Sequence, residues 1–441
     1  MSMIKWRAFS CVLLFLTACE NQSDEAQAPT YYQDIQPILE SRCTGCHLEG
    51  GIAPFALDSY ERVSTYADAV AASVAQKTMP PWLAGPADVE YLADPQLEDS
   101  QVEAIVTWAL GDKAEGDSGL PGAPLPSLHE GLERVDTTLQ MPEPYSPPQG
   151  DDYRCFLLPW DQTETTYVRG INAVPGNEAV VHHIAVFIIP PNFVASTESW
   201  KSDDGQPGYT CFGGPSGNPD IIIPTLQLGG WLPGNPGTKF PRGIGIEVQP
   251  GSLLALQMHY SSPLGVPEPD QTTLEFEIAS SVEKRGVYAP WLNVEWVGGN
   301  MRIPSGEEIV RHSIRDDPRM FFGAFISGLN LDNGFDIHGA LFHMHQLGQS
   351  GHTKLYKEDG TETTVLDIPK WDFNWQQEYF LKSPVSFRSG DELEVSCTWS
   401  NTAEAQPFLG QERRPPKDVN WGERTEDEMC VVNLLITEAI D

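Results

Sequence analysis

The sequence predicts a multidomain protein: one small all-α domain followed by two all-β antiparallel sandwich domains of jelly-roll-like type. Three observations lead there. The chain has 441 residues, which at about 100–200 residues per domain calls for several cores rather than one. Its 37 Pro and 39 Gly, with 40% hydrophobic residues, indicate a folded, turn-rich, β-rich chain rather than a disordered one or a helical bundle. Helical periodicity is confined to the part before residue 113, and short alternating runs follow it.

The opening stretch, MSMIKWRAFSCVLLFLTACENQSDE, has a short basic region, an apolar run from Phe9 to Leu16 and small residues before Cys19. This is the pattern of an export signal. Its ending, LTAC, resembles a bacterial lipoprotein box, which implies removal of the signal within residues 1–19 and a lipid on Cys19. The other reading is an ordinary secretory signal cleaved nearby. Glu20 after the cysteine resembles the pattern of outer-membrane lipoproteins. The expectation is an exported protein, lipid-anchored at the outer membrane and facing the periplasm or the cell surface. No later apolar run is long enough to span a bilayer.

After a polar tether at 20–29, residues 30–112 read as the helical unit. YYQDIQPILESRCTGCH runs as a helix into a Cys-rich turn, and Val102, Ile105, Val106 and Ala109 recur at helical spacing. In CTGCH, Cys43 and Cys46 have the spacing that forms thioethers with haem vinyl groups, while His47 ligates the iron. The alternative is a disulfide-forming or metal-binding CxxC that happens to precede a histidine. The segment resembles the small cytochrome c family, whose distal methionine lies in a downstream loop. Met79 in KTMPPWL is the candidate, its loop stiffened by two prolines. Residues 113–130, rich in Gly, Pro and Ser, read as a linker.

The β region divides into sandwiches at 131–282 and 283–441, with the break near 280–286. A net charge of −35 repels nucleic acid, so no nucleic-acid partner is expected. In GALFHMHQLG, His343 and His345 share one face of a strand, roughly 7 Å apart, and can converge on one ion. His182 and His183 are adjacent, which places them on opposite faces unless the strand is irregular there. His259 lies in LALQMHYSS. Once Cys11 leaves with the signal, Cys19 takes the lipid and the haem motif takes two, Cys155, Cys211, Cys397 and Cys430 remain, and four thiols allow three pairings.

Together with the motif EDEMCVVNLL, these residues resemble the copper type II, ascorbate-dependent monooxygenases, the peptidylglycine- and dopamine-hydroxylating family. The resemblance covers nearly all of 131–441. It implies two copper ions with O2 as cosubstrate: His182, His183 and His259 hold the copper that relays electrons, while His343, His345 and Met429 hold the catalytic one. A thioether favours soft Cu(I), in keeping with that division. The resemblance also implies the bridges Cys155–Cys211 and Cys397–Cys430, and places Tyr153 and Gln257 close to the electron-relay copper. His129, His312, His338 and His352 have no matching role, His338 being the least settled of them.

The resemblance stops at the substrate. Where peptide-hydroxylating members hold a carboxylate with an arginine two residues before the H-x-H, this chain has Leu341. Their asparagine and tyrosine beyond E-M-C correspond to Val431 and Asn433. A buried carboxylate without a cation is costly, so a different small organic molecule is implied. Each hydroxylation needs two electrons, and the expected route is an external donor, ascorbate-like or a redox protein, acting through one covalent haem c to the three-histidine copper. The rival reading is a non-catalytic envelope lipoprotein for electron transfer or copper binding.

Overall fold

The structure, a computed structural model, describes residues 28–51, 53–126, 131–200, 204–211, 214–216, 226–233, 237–262, 268–326, 328–373, 375–409, 412–422, 424 and 426–439. The signal, Cys19, most of the tether and His129 lie outside the described residues. Among those described, no helix is long and apolar enough to cross a membrane.

Three helical stretches form the first unit: Tyr31–Ile35 continuing into Gln36–Arg42, then Tyr60–Ala75, then Asp99–Leu110. Ser59 caps the second by accepting from Arg62 N, and Glu98 with Gln101 makes a capping box at the third. Ile105 and Ala109 of the expected apolar face are buried against Ile35, Leu39, Val63 and Ala67, with Val102 and Val106 at the margin. The stretch read as a linker folds back on this unit. Tyr31 N donates to Ala114 O, Gln33 Nε2 to Asp117 O and Leu120 O, and Ser41 Oγ to Pro126 O. Its backbone carbonyls find donors there, so the segment is a strap as much as a tether.

Residues 82–94, inside the range read as helical, pack on the C-terminal sandwich. Tyr91 and Leu381 bridge, Leu92 N donates to Phe380 O, and Tyr91 OH donates to Val365 O. The Trp82 ring meets Tyr379 edge-on at 4.8 Å.

The two sandwiches share a sheet. Its nine strands include the path Thr137–Gln140, Thr273–Ala279, Thr166–Val174, Ile244–Val248, Lys284–Trp291, Val431–Glu438, Phe335–His343, Glu378–Phe387, with Thr238–Lys239 paired to Thr166–Val174. The first half of that path packs with a five-stranded sheet in the order Tyr209–Thr210, Gly150–Pro159, Leu253–Ser262, Val181–Ile189, Leu226–Trp231. Phe156, Ile171, Leu256 and Phe276 fill that core. The second half packs with the strands Val310–Asp316, Glu392–Trp399, Gly348–Tyr356 and Glu362–Ile368 around Trp291, Phe342, Val395 and Trp399.

The seam is one parallel pairing, with Lys284, Arg285 and Gly286 opposite Ile244, Gly245 and Ile246. It falls where the sequence changes core, near 280–286. The ladder continues across it, which leaves neither sandwich an open edge there. Gly286 permits the approach, because a Cβ would stand 2.7 Å from Ile244 Cγ2.

Candidate metal centres

His183 sits opposite His259 in the pairing of Val181–Ile189 with Leu253–Ser262, and the register shifts between Val181 and His183. His182 is therefore the extra residue of a β-bulge, which turns two adjacent side chains toward one side. This is the irregularity that the His-His pair requires. Ligand atoms of His182, His183 and His259 all lie within 4.8 Å of one another. His183 Nδ1 stands 3.3 Å from His182 Nδ1 and 3.2 Å from His259 Nδ1. Two nitrogens each about 2.0–2.1 Å from one ion at a tetrahedral angle would be about 3.3 Å apart. The spacing fits a shared first-row ion.

The surroundings fix these rings. His259 Nε2 donates to Asp151 Oδ1 at 3.3 Å, which leaves Nδ1 as the lone pair aimed at the cluster. Tyr153 stacks on His259 at 4.2 Å, and Gln257 Nε2 donates to Cys211 O at 2.7 Å. Burial, then the neighbouring imidazoles, lowers His182 to about 4 and His183 well below the usual histidine range. Neutral imidazole is the form that binds metal.

His343 ends its strand, and His345 lies just beyond it. Leu341 pairs with Asn433 and His343 with Val431, two residues after Met429. Glu428 secures the turn by accepting from His345 N at 2.9 Å, Leu347 N at 2.6 Å and Trp399 Nε1 at 2.8 Å. Burial pushes its carboxyl up to about 7 against the pull of those donors. The Cys397–Cys430 bridge ties down the residue after Met429, whose side chain is 9% exposed. Cys155–Cys211 closes the other bridge implied by the resemblance.

Both histidines offer Nε2. His343 Nδ1 donates to Gln376 Oε1 at 2.6 Å and His345 Nδ1 to Asp427 O at 3.1 Å, with the ring centroids 5.0 Å apart. Burial lowers both, His345 to about 3. His343 contributes to the lowering of His183, and Asp372 opposes that of His182, so the two histidine groups lie within electrostatic reach of each other. Asp151 and Gln376 carried no signal in the sequence, since register and loop placement alone bring them to the rings.

In CTGCH, Cys43 and Cys46 are free, half-buried thiols, and His47 Nδ1 donates to Phe55 O at 2.9 Å, leaving Nε2 available. This donor set fits thioether attachment and an axial imidazole. Met79 stands apart, 42% exposed, in a small cleft with Val74, Trp82 and Leu97 that includes none of those three residues. His338 is an extra residue in a second bulge, buried and bonded to Thr437 Oγ1 at 2.9 Å, a structural place. His312 bonds Arg302 O, and His352 lies 3.7 Å from Glu394.

Each sandwich carries histidines close together, the triad His182, His183 and His259 on one and the pair His343 and His345 on the other, and these are the candidate metal centres. Residues 327–439 match the family described as the C-terminal domain of copper type II ascorbate-dependent monooxygenases. The chain is 22% identical over 295 residues to "DBH-like monooxygenase protein 2" of Mus musculus, covering 65% of this chain and 43% of that protein. It is 22% identical over 370 residues to dopamine beta-hydroxylase of Rattus norvegicus, with coverage of 76% and 55%. Tyramine beta-hydroxylase of Caenorhabditis briggsae is 21% identical over 323 residues, with coverage of 69% and 50%. The chain thus spans about half the length of these relatives. These comparisons support the copper monooxygenase family for the β region.

Proposed function

We propose that the chain is a copper-dependent monooxygenase that hydroxylates an unactivated C–H bond of a small organic molecule with O2, its electrons arriving through a covalent haem c. The observation that carries this reading is the convergence of His182, His183 and His259, with ligand atoms within 4.8 Å of one another, on one sandwich, and the His343/His345 pair on the other. His182, His183 and His259 would hold one copper, and His343, His345 and Met429 the other. When bound, the copper at the softer His2Met site supplies O2 activation, and the three-histidine copper supplies an electron.

The protein's own part is preorganisation. Asp151 and Gln376 hold the tautomers and aim the free nitrogens, while Glu428 fixes the chain on both sides of the thioether. Copper content and substrate-dependent O2 uptake of the purified protein test the reading. Two coppers with no uptake across a broad substrate panel would favour the non-catalytic copper-binding or electron-transfer lipoprotein.

Cys43, Cys46 and His47 would hold the haem, with Met79 as its sixth ligand once that exposed side chain turns inward. Support for delivery to the three-histidine centre comes from the position of Cys46, whose Sγ lies 3.1 Å from Pro233 O. Pro233 follows Trp231 by two residues, and Trp231 pairs with Ile184, next to His183. Haem reduced anaerobically should reoxidise when both centres hold Cu(II), and haem that stays reduced would refute the route. The electrons come from an external ascorbate-like reductant or redox protein. The protein is placed at the outer membrane through a lipid on Cys19.

A further inference from the structure

Two strands of the C-terminal sandwich end their sheets: Glu362–Ile368 the four-stranded one, and Glu378–Phe387 the shared one. The connection between them, of which 369–373 and 375–377 are described, reaches the second histidine pair at three points. Gln376 Oε1 accepts from His343 Nδ1, Trp371 Nε1 donates to His345 O at 3.0 Å, and the Phe373 ring meets that of His345 edge-on at 6.1 Å. Gln376 Nε2 in turn donates to Phe373 O at 2.9 Å, so the connection is braced on itself.

Both ends of this connection are gripped by residues 82–92, which belong to no part of the β region. On the Glu362–Ile368 side, Gly85 N donates to Asp367 O and Asp88 N to Thr364 O, while Thr364 N donates to Asp88 Oδ2 at 2.7 Å. On the Glu378–Phe387 side, Leu92 N donates to Phe380 O and Lys382 N to Glu90 O, around the Tyr91–Leu381 bridge. Tyr91 OH joins the two sides by donating to Val365 O, its ring lying 5.6 Å from Tyr379 and 5.9 Å from Trp82. The fit is tight where the connection begins, since a Cβ on Gly85 would stand 2.9 Å from Pro369. Where it ends, the backbone of Leu83 and Ala84 and the side chain of Gln377 hydrogen-bond the Tyr379 hydroxyl.

An open sheet edge needs cover, and any strand-like segment supplies that. These contacts do more, because they fall on the residues that flank the connection at both ends. With the ends pinned, the conformational freedom of Gln376 is given up on folding and not when the metal arrives.

We propose that residues 82–92, with Trp82, Gly85 and Tyr91 as positioning residues, hold the connection between Ile368 and Glu378 in the shape that sets Gln376 on His343. The N-terminal unit is then a working part of the His343–His345 centre. This rests on the reading that His343, His345 and Met429 hold copper.

The test compares the full-length protein with Trp82→Ala, and with Leu139→Ala as a control on the strand at the opposite end of the shared sheet. Hydrogen exchange is read on the metal-free protein, and copper affinity by competitive titration, the step lost in His343→Ala marking that centre. Trp82→Ala should speed exchange of the amides at 369–381 by about tenfold or more. It should also weaken copper at the His343 centre by about tenfold, with the three-histidine step in place. Gly85→Ala, which removes no contact and presses on Pro369, should act in the same direction. Trp82→Phe, which keeps a ring on Tyr379, should retain the wild-type values, and Leu139→Ala should change neither. Unchanged exchange and affinity in Trp82→Ala and Gly85→Ala overturn the proposal. An equal change in Leu139→Ala also overturns it, since that would be general loosening. If His343→Ala loses no copper step, the reading of the centre fails instead, and exchange on the metal-free protein decides the positioning alone.

Discussion

At His343 the decisive feature is a hydrogen bond rather than the metal. Gln376 Oε1 accepts from Nδ1 at 2.6 Å, which fixes the tautomer and leaves Nε2 available. Gln376→Ala should weaken copper at that centre by about 10–100-fold and leave the three-histidine centre filled, as measured by competitive copper titration. Equal loss at both centres would mean a general loosening. The nearness of His343 to His345 was legible in the sequence, because strand alternation makes them a pair. The His182–His183 pair was not explicable by alternation, since a bulge depends on the partner strand. Met79 was nominated by the resemblance to cytochromes c and as the one methionine of its unit after CTGCH, and its side chain is exposed.

The turn that carries Met429 is held as an element. Glu428 receives the amides of His345 and Leu347 and the indole of Trp399, so one side chain joins the H-x-H strand, the turn after it and the strand Glu392–Trp399. Glu428→Ala would leave those donors buried without an acceptor, a loss of about 3 kcal/mol or more in urea unfolding. It should also release copper from the His343 centre first. A variant as stable as the wild type would show that water replaces the carboxylate. The disulfide beside this turn was legible only through family resemblance, because four thiols leave three pairings open. The packing of residues 82–94 on the C-terminal sandwich was not legible at all. Its strand-like contacts are with Val365, Phe380 and Leu381, nearly three hundred residues later, where local pattern carries no information.

Across the whole molecule, the β region holds two large core clusters, and the sheet that joins them was not foreseen. Local alternation reveals strands but not which distant strand they pair with. Gly286 and Gly245 at the seam show why pairing was possible there, since both lack a Cβ that would strike the neighbouring strand or loop. Glu378 and Tyr288 belong to the shared sheet and give it a pH dependence. Folding raises the Glu378 carboxyl from 4.5 to about 8. Its contribution is thus fully present below about pH 4 and is lost as the pH rises through about 8. Glu378→Gln should flatten the fall in melting temperature between those limits. An unchanged slope would assign the fall to other groups, the excess of acidic residues among them.

The central claim is oxygen insertion by two copper centres. It is tested most directly by supplying the copper-loaded, reduced protein with 18O2 and either cell extract or a broad panel of small organic molecules, and reading the products by mass spectrometry. The account predicts a product that gains one oxygen atom, labelled from O2, in the wild-type protein and not in His343→Ala. A protein that binds two coppers, accepts electrons and yields no labelled product from any of these mixtures would contradict it.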